Sequence, residues 1–261
     1  MPPILPHRFL PALAGAIALA GCAPALRSPE TFEWAGRPVA FSPPPADWRR
    51  EGYNQGGWLG AYFVHERSVG ERIMVAEHHV ISDRDGRARL AELLERFDAL
   101  DDRELKEALR RSRYRTEEPL SPLEAEVAAG VNQAIERAMG AEIAGDREGA
   151  RREIGGAVRE SQRLRIVLSD VLERVVFRPD RAQEPERWVG TARRPGVVAG
   201  QPAVFVDYRF RGPERVLRCR DAYFVRDNHV FIASYLGLEK NLPVFDRVVE
   251  SIRFPEPGVP R

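Results

Sequence analysis

The spacing of apolar residues changes twice along this chain. Between Arg37 and Ile81 apolar residues tend to alternate with polar ones, which is typical of strands that bury one face. Over residues 82–180 the spacing becomes three to four residues, which predicts amphipathic helices. Over residues 181–254 the alternation returns. The pattern predicts an α+β fold, in which an antiparallel β-sheet packs with helices and a helical insertion separates the two halves of the sheet.

The first half of the sheet is predicted to contain a hairpin. Trp58 to Glu66 and Glu71 to Ile81 read as two strands around the turn residues Ser68-Val69-Gly70. A proline-stiffened loop from Ser42 to Trp48 precedes them, and Asn54-Gln55-Gly56-Gly57 favours a turn. We therefore expect residues 37–81 to form the first part of the sheet domain.

The insertion is predicted to contain three helices. The face of the first carries Leu90, Leu93, Leu94, Phe97 and Leu100. A break is expected at Asp101-Asp102, and Ser121-Pro122-Leu123-Glu124 predicts a capping box at the start of the second helix. The third is expected over Val158 to Val175. Gly140 to Gly156 contains five glycines, which predicts a loop or a frayed helix end.

The second half of the sheet is predicted to be a meander followed by a helix. The expected strands are Trp188 to Val198, Ala203 to Phe210, Arg215 to Val225 and His229 to Leu236. Short turns join them, so neighbouring strands should be antiparallel. A helix from Leu242 to Ile252 is expected to close this second part, residues 181–254, before a proline-rich tail at 255–261.

The closing segments resemble those of PsbP/Mog1-like domains. The resemblance is carried by Gly200-Gln201-Pro202-Ala203, Asp207-Tyr208, Asp221-Ala222-Tyr223, Val230 to Tyr235, and Phe245 to Phe254. It covers residues 37–81 and 186–254, and it leaves 83–178 as an insertion larger than the family usually carries. It implies a sheet with helices packed on it, and a role in accessory, binding or assembly work, because members share no catalytic set.

Residues 1–22 have the composition of an export signal. Arg8 precedes an apolar run from Phe9 to Leu19, about 11 residues, which is too short to span a bilayer. Leu19-Ala20-Gly21-Cys22 resembles the lipobox of bacterial lipoproteins, which implies cleavage before Cys22 and acylation of its thiol and amino groups. The alternative is an ordinary secretory signal, or a buried N-terminal helix, with a chance cysteine. We expect a signal peptide at 1–21 and a membrane tether at 22–36.

The lipobox resemblance also implies a location. Ala23 follows the cysteine, where enterobacterial lipoproteins that stay in the inner membrane carry aspartate. We therefore expect a lipid-anchored protein of the cell envelope, in the outer membrane facing the periplasm rather than in the inner membrane.

The charge balance argues against a nucleic-acid-binding protein, and the cysteine content argues against a core held by a disulfide. Of 40 Lys and Arg residues, Arg8 lies in the signal segment, so the remainder balances the 39 acidic residues. A nucleic-acid binder needs a concentrated basic surface, so we expect no nucleic-acid partner. If Cys22 is acylated, Cys219 has no intramolecular partner, so the core should hold without a disulfide.

Few residues are candidates for catalysis or metal binding. The sequence contains no Gly-x-Ser-x-Gly, His-Glu-x-x-His, Cys-x-x-Cys or P-loop motif. His78 and His79 should point to opposite faces of a strand and could not share one ion. Asp221 lies between Cys219 and Tyr223 on one strand face, where a buried carboxylate would have a perturbed pKa. The alternative pairs Asp221 with an arginine or places it at a wet sheet edge. We expect no metal and no cofactor.

Three functions remain open at this stage. The first is a non-catalytic binding or assembly module, anchored in the membrane through Cys22, whose helical insertion recognises a protein partner in the envelope. The second is a carrier of a hydrophobic ligand or lipid. The third, less favoured, is an enzyme of unlisted type using Asp221, His78 or His79. An exposed apolar helix face, a wide apolar cavity, or a polar cleft joining Asp and His would separate them.

Overall fold

The computed structural model describes residues 24–34, 37–82, 86–114, 119–176 and 184–255. Its strands are β1 (Glu30–Trp34), β2 (Arg37–Phe41), β3 (Trp48–Gln55), β4 (Trp58–His65), β5 (Arg72–His78), β6 (Trp188–Val198), β7 (Gln201–Arg211), β8 (Val216–Arg226) and β9 (His229–Gly237). Seven of them form one sheet in the order β3-β4-β5-β9-β8-β7-β6, with every neighbouring pair antiparallel. β1 and β2 form a separate antiparallel pair.

The helices are α1 (His79–Ser82), α2 (Arg87–Arg96), α3 (Asp102–Arg111), α4 (Pro122–Ile143), α5 (Arg147–Ser161), α6 (Leu168–Arg174) and α7 (Leu242–Ser251). Short 3-10 turns cover Phe97–Ala99, Pro185–Arg187 and Glu239–Asn241. The predicted α+β fold with an antiparallel sheet is confirmed.

One face of the sheet is covered by α7 and the β1–β2 pair. Phe245 of α7 is fully buried and stacks on Tyr235 of β9, with ring centroids 5.7 Å apart. Phe32 and Phe41, from β1 and β2, stack at 4.5 Å within the same apolar cluster. The predicted closing helix is confirmed, and it supplies the core of this face.

The opposite face of the sheet is covered in part by α6. Leu168 and Leu172 of α6, together with Val176, pack against the cluster that contains Tyr223 and Ile232. This short helix therefore belongs to the sheet's packing, although it lies at the end of the predicted insertion.

Helices α2 to α5 form what we call the helical module, residues 87–164, and it has a core of its own. That core consists of Leu90, Leu93, Phe97, Leu105, Leu109, Tyr114, Val127, Ala128, Val131, Ala134, Ile135, Ala138, Ala150, Ile154, Ala157 and Leu164. The chain enters the module past Ile81 and leaves it past Ile166, and both side chains share a small cluster with Val230 at the start of β9. The two ends of the module therefore meet at one end of the sheet.

The break predicted at Asp101-Asp102 and the helix start predicted at Ser121 are confirmed, but the reciprocal capping box forms at Asp101 and not at Ser121, because Glu124 bonds to the Leu120 N–H. The Asp101 carboxylate accepts a hydrogen bond from the Glu104 backbone N–H at 2.7 Å, and Glu104 accepts one from the Asp101 N–H at 3.1 Å. Ser121 Oγ accepts from the Glu124 N–H at 3.2 Å, while the Glu124 carboxylate accepts from the backbone N–H of Leu120. These bonds satisfy donors that the first turn leaves unpaired.

Two helix predictions are wrong. Gly140 to Gly156 is mostly helical: only the residues around Gly145, with φ at +75°, interrupt α4 and α5, and Asp146 caps α5 through the Gly149 N–H at 2.8 Å. No single helix covers Val158 to Val175, because the chain leaves the helix after Ser161 and re-enters at Leu168. Burial of the apolar faces of α4 and α5 against each other outweighs the low helix propensity of glycine in this segment.

The N-terminal predictions also need correction. The tether expected at 22–36 contains β1 in its described part, and Leu26 packs against the core under α7. Trp48 to Gln55 forms β3, an edge strand that was not predicted; a loop was expected up to Trp48 and a turn from Asn54. β5 ends at His78 because the chain turns into α1 at His79, three residues before the predicted end of the strand.

Candidate functional site

Asp221 lies at the centre of β8 and is held by three hydroxyl groups. Tyr208 and Tyr223 donate to Oδ2 at 2.6 Å and 3.3 Å, and Ser234 Oγ donates to Oδ1 at 2.5 Å. The side chain is 2% exposed. It lies neither at a wet edge nor in a salt bridge with arginine among the described residues, so both simpler expectations for it are wrong.

Burial raises the pKa of Asp221 above its ordinary value of 3.8, although the bonds from Ser234, Tyr208 and Tyr223 oppose that rise. Burial, followed by the nearby Asp221, also raises the pKa of Tyr208 well above 10.0. The hydroxyl cage satisfies the carboxylate and links β7, β8 and β9 on the face that α6 covers. This arrangement is suited to holding strands together.

Cys219 lies two residues before Asp221 on the same face and is 2% exposed. Burial raises the pKa of its thiol far above 9.0, because an apolar environment disfavours the thiolate. The prediction of a small, buried cysteine is confirmed.

His78 and His79 serve different local structures. The His78 ring lies edge-on to Trp58 at 4.7 Å, and its Nδ1 accepts from the backbone N–H of Ile81 at 3.2 Å, which fixes the strand-to-helix turn. His79 opens α1, so the strand alternation assumed for the pair does not continue. His78 shares a face with Asp221 but lies four residues beyond Met74, the β5 residue in the Asp221 row, about 13 Å along the strand.

No histidine or second carboxylate therefore joins Asp221 in a candidate catalytic or metal-binding group among the described residues. Among the described residues, no group of three or more His, Cys, Asp or Glu side chains is placed to hold a metal ion. The hypothesis of an enzyme that uses Asp221 and His78 requires a polar cleft joining them, and these two residues do not form one.

Glu77 and His229 form a buried pair that the sequence did not indicate. His229 Nδ1 lies 2.5 Å from Glu77 Oε1, and Glu77 is fully buried between β4 and β9. The other side of His229 lines a small crevice with Arg226, Phe231 and Phe254. The partners are 152 positions apart, so only the pairing of β5 with β9 brings them together.

A groove lies between α2 and α3 on the helical module. We call it the α2–α3 groove; its volume is about 480 Å³, and it is open to solvent. Its lining residues are Arg89, Glu92, Leu93, Arg96, Leu100, Arg103, Glu104, Glu107, Ala108, Arg111 and Ser112. Leu93, Leu100 and Ala108 give the groove a small apolar floor, and the remaining lining residues, all charged except Ser112, surround it as a rim.

The connection between α2 and α3 is held in place by α5. Arg147 donates to the carbonyl oxygens of Phe97, at 3.3 Å, and Leu100, and its guanidinium lies 5.3 Å from the centre of the Phe97 ring. Arg151 adds a bond of 2.6 Å to Asp98. These contacts fix the angle between the two helices, so the groove does not have to be formed when a ligand arrives.

On the rim, exposed ion pairs join residues one turn apart. Arg96 lies 3.1 Å from Glu92 on α2, and Arg111 lies 2.9 Å from Glu107 on α3. Exposed pairs of this kind contribute only about 0–1 kcal/mol to folding. Their charges therefore remain available to a partner at little cost to the free energy of unfolding.

Cys22 lies outside the described residues. The described chain begins at Pro24, and its first residues are hydrogen-bonded to the folded domain. Arg27 donates from its backbone N–H to Pro43 O at 3.0 Å and from Nε to Pro44 O at 2.7 Å. Arg247 of α7 donates to the carbonyl oxygen of Pro24. Within the described part of the chain, no helix has both the length and the apolar character needed to cross a membrane.

No family model matches the chain, and no curated protein matches it.

Proposed function

We propose that this protein is a lipid-anchored, non-catalytic module of the cell envelope that binds a protein partner through its helical module. The α2–α3 groove carries the proposal, because an apolar floor and a charged rim are combined on helices whose relative position α5 fixes. The lipobox-like Leu19-Ala20-Gly21-Cys22 supports the anchor and the envelope location, with the outer membrane as the proposed site.

The proposed relationship to PsbP/Mog1-like domains is consistent with this role. Its support is the meander β6–β9 followed by α7, which follows the order of elements on which the resemblance rests. Under this proposal the sheet is the scaffold, and the module is the part that recognises a partner.

Site-specific photo-crosslinking in cells tests the groove. A photo-reactive amino acid replaces Arg103, which lines the groove, in the full-length protein; the control replaces Arg152, which is exposed on α5 away from the groove. We expect an envelope protein to be crosslinked from position 103 and not from position 152.

Charge reversal sharpens the test. Arg96→Glu and Arg111→Glu together should reduce the position-103 adduct severalfold, because they reverse two rim charges. The matched control, Arg137→Glu with Arg163→Glu, removes exposed ion pairs away from the groove and should leave the adduct unchanged. Equal adducts from positions 103 and 152, or equal loss in both double variants, would contradict recognition through the groove.

A further inference from the structure

The first described residues are bound to the folded body and do not form a stalk. Pro24 accepts a hydrogen bond from Arg247, and Leu26 packs against the core. The Arg27 guanidinium lies 5.6 Å from the centre of the Phe63 ring and donates to Trp48 O at 3.3 Å. From Pro24 onward, the chain therefore follows the surface of the domain.

This arrangement leaves almost no free chain between Cys22 and the domain. Ala23 alone separates Cys22 from Pro24, so their Cα atoms can be at most about 7 Å apart. If Cys22 is acylated, the backbone of the acylated residue lies within that distance of Pro24, so the lipid anchor holds the surface around Pro24 close to the bilayer. That surface includes the outward stripe of α7, formed by exposed Pro243 and Glu250 and by half-buried Asp246 and Arg247.

The helical module attaches to the domain on another side. The contacts of Arg27 lie near the row Phe63, Ile73 and Tyr235, at one end of the sheet and under α7. The module joins the sheet beside Val230, at the other end of β9. Tyr235 and Val230 are five residues apart, so about 17 Å of strand separates the two attachment rows.

α6 and α7 also lie on opposite faces of the sheet. α7 packs on the face that contains Tyr235, whereas α6, which follows the module, packs on the face that contains Tyr223. The module therefore joins the domain at the far end of the sheet, and the chain that follows it packs on the face away from α7.

We infer that the lipidated protein lies flush on the membrane, with the surface around Pro24 and the α7 stripe against phospholipid headgroups and the helical module held away from them. The inference rests on the proposed lipid anchor and adds an orientation to it. It places the α2–α3 groove where a partner in the periplasm can reach it without contacting the bilayer.

Spin labels on the full-length lipidated protein test this orientation. One nitroxide is attached at Glu250→Cys on the α7 stripe and another at Lys106→Cys on exposed α3, in separate variants. Cys219 is buried, and unsubstituted protein reports any background labelling. The vesicles contain phosphatidylethanolamine, phosphatidylglycerol and a small fraction of lipid with a nickel chelate on its headgroup, which relaxes only nearby nitroxides.

We expect the label at position 250 to relax severalfold more strongly than the label at position 106. A flexible Gly/Ser insertion between Ala23 and Pro24 should reduce relaxation at position 250, because the domain can then leave the surface, and should not alter it at position 106. Equal relaxation at the two positions in vesicle-bound protein, or no effect of the insertion, would overturn the orientation. Failure of the unlabelled protein to remain with the vesicles would instead contradict the lipid anchor.

Discussion

The side-chain oxygen of Asn228 accepts a hydrogen bond of 2.9 Å from the backbone N–H of Ile166. The same amide donates to the carbonyl oxygen of Leu164 at 3.4 Å. Asn228 lies in the β8–β9 turn with φ at +64°, a left-handed conformation that asparagine tolerates better than most residues. One buried side chain therefore joins the tip of a sheet hairpin to the exit of the helical module.

We predict that Asn228→Gly lowers the free energy of unfolding by about 1–3 kcal/mol, because glycine accepts the turn conformation but leaves buried polar groups of Ile166 and Leu164 unpaired. Urea denaturation measures the loss. Asp227→Gly is the matched control, since it changes the neighbouring left-handed residue of the turn, φ at +49°. A loss no greater than in the control would show that the Asn228 contacts do not hold the module.

Removal of the module should depend on where the deletion ends. Replacing residues 87–163 with a short Gly/Ser linker should leave a folded, β-rich domain, because Ile81 and Ile166 lie together and loop closure depends weakly on length. Replacing residues 84–180 should abolish cooperative unfolding, because that deletion removes α6 and Val176 from the sheet. Circular dichroism with urea denaturation compares the two. Cooperative folding of the longer deletion would show that α6 is dispensable.

The sequence predicted the second half of the sheet to within about two residues because turn residues such as Gly200, Asp227 and Asn228 mark where one strand ends and the next begins. It did not predict β3, whose residues are polar on both faces and are strand only because β4 pairs with them. Propensity alone also failed for α5, which is helical despite its glycines because Ala150, Ile154 and Ala157 pack in the core that it shares with α4.

Site residues divide in the same way. The burial of Cys219 was predicted from its place on an apolar strand face, whereas for Asp221 the sequence left burial, an arginine pair and a wet edge open. The partners of Asp221 come from β7 and β9, and Glu77 meets His229 across paired strands. Such non-local pairings depend on strand order and register, which no local pattern in this chain specifies.

Asp221 should make the free energy of unfolding depend on pH. Because its pKa is raised in the folded protein, the folded state binds the proton more tightly than the unfolded state. Its contribution is therefore most favourable below the unfolded pKa and is lost as pH rises through the folded pKa. Asp221→Asn keeps the shape and removes the titration.

Urea denaturation of both proteins between about pH 3 and pH 7 tests this prediction. The free energy of unfolding of the unsubstituted protein, minus that of Asp221→Asn, should fall as pH rises. A difference that grows with pH would mean that the hydroxyl cage lowers the pKa of Asp221 in the folded state.

Phe245→Ala should lower the free energy of unfolding by about 3–5 kcal/mol, because the ring is fully buried against Tyr235 and its loss leaves a cavity. Glu250→Ala, at an exposed position of the same helix, is the control and should change it little. Equal denaturation midpoints for the two variants would contradict the role of α7 in covering the sheet.

Cys22→Ala should release the protein from membranes or leave its precursor uncleaved, because Cys22 would carry all three acyl chains. Three chains hold a protein at a membrane far more firmly than one. Fractionation of cells into membrane and soluble parts, with immunodetection of precursor and mature lengths, measures the effect. Cys219→Ala is the matched control, and it should remain in the membrane fraction. A processed Cys22→Ala protein in the membrane pellet would contradict anchoring through this residue.

The envelope location, the flush orientation and the access of a partner to the groove all depend on acylation of Cys22 as the first residue of the mature protein. Mass spectrometry of the N-terminal peptide of protein purified from membranes detects this modification. We expect a peptide that begins at Cys22 and carries a thioether-linked diacylglycerol and an amide-linked acyl chain. A mature peptide that begins elsewhere, or that contains an unmodified Cys22, would contradict it.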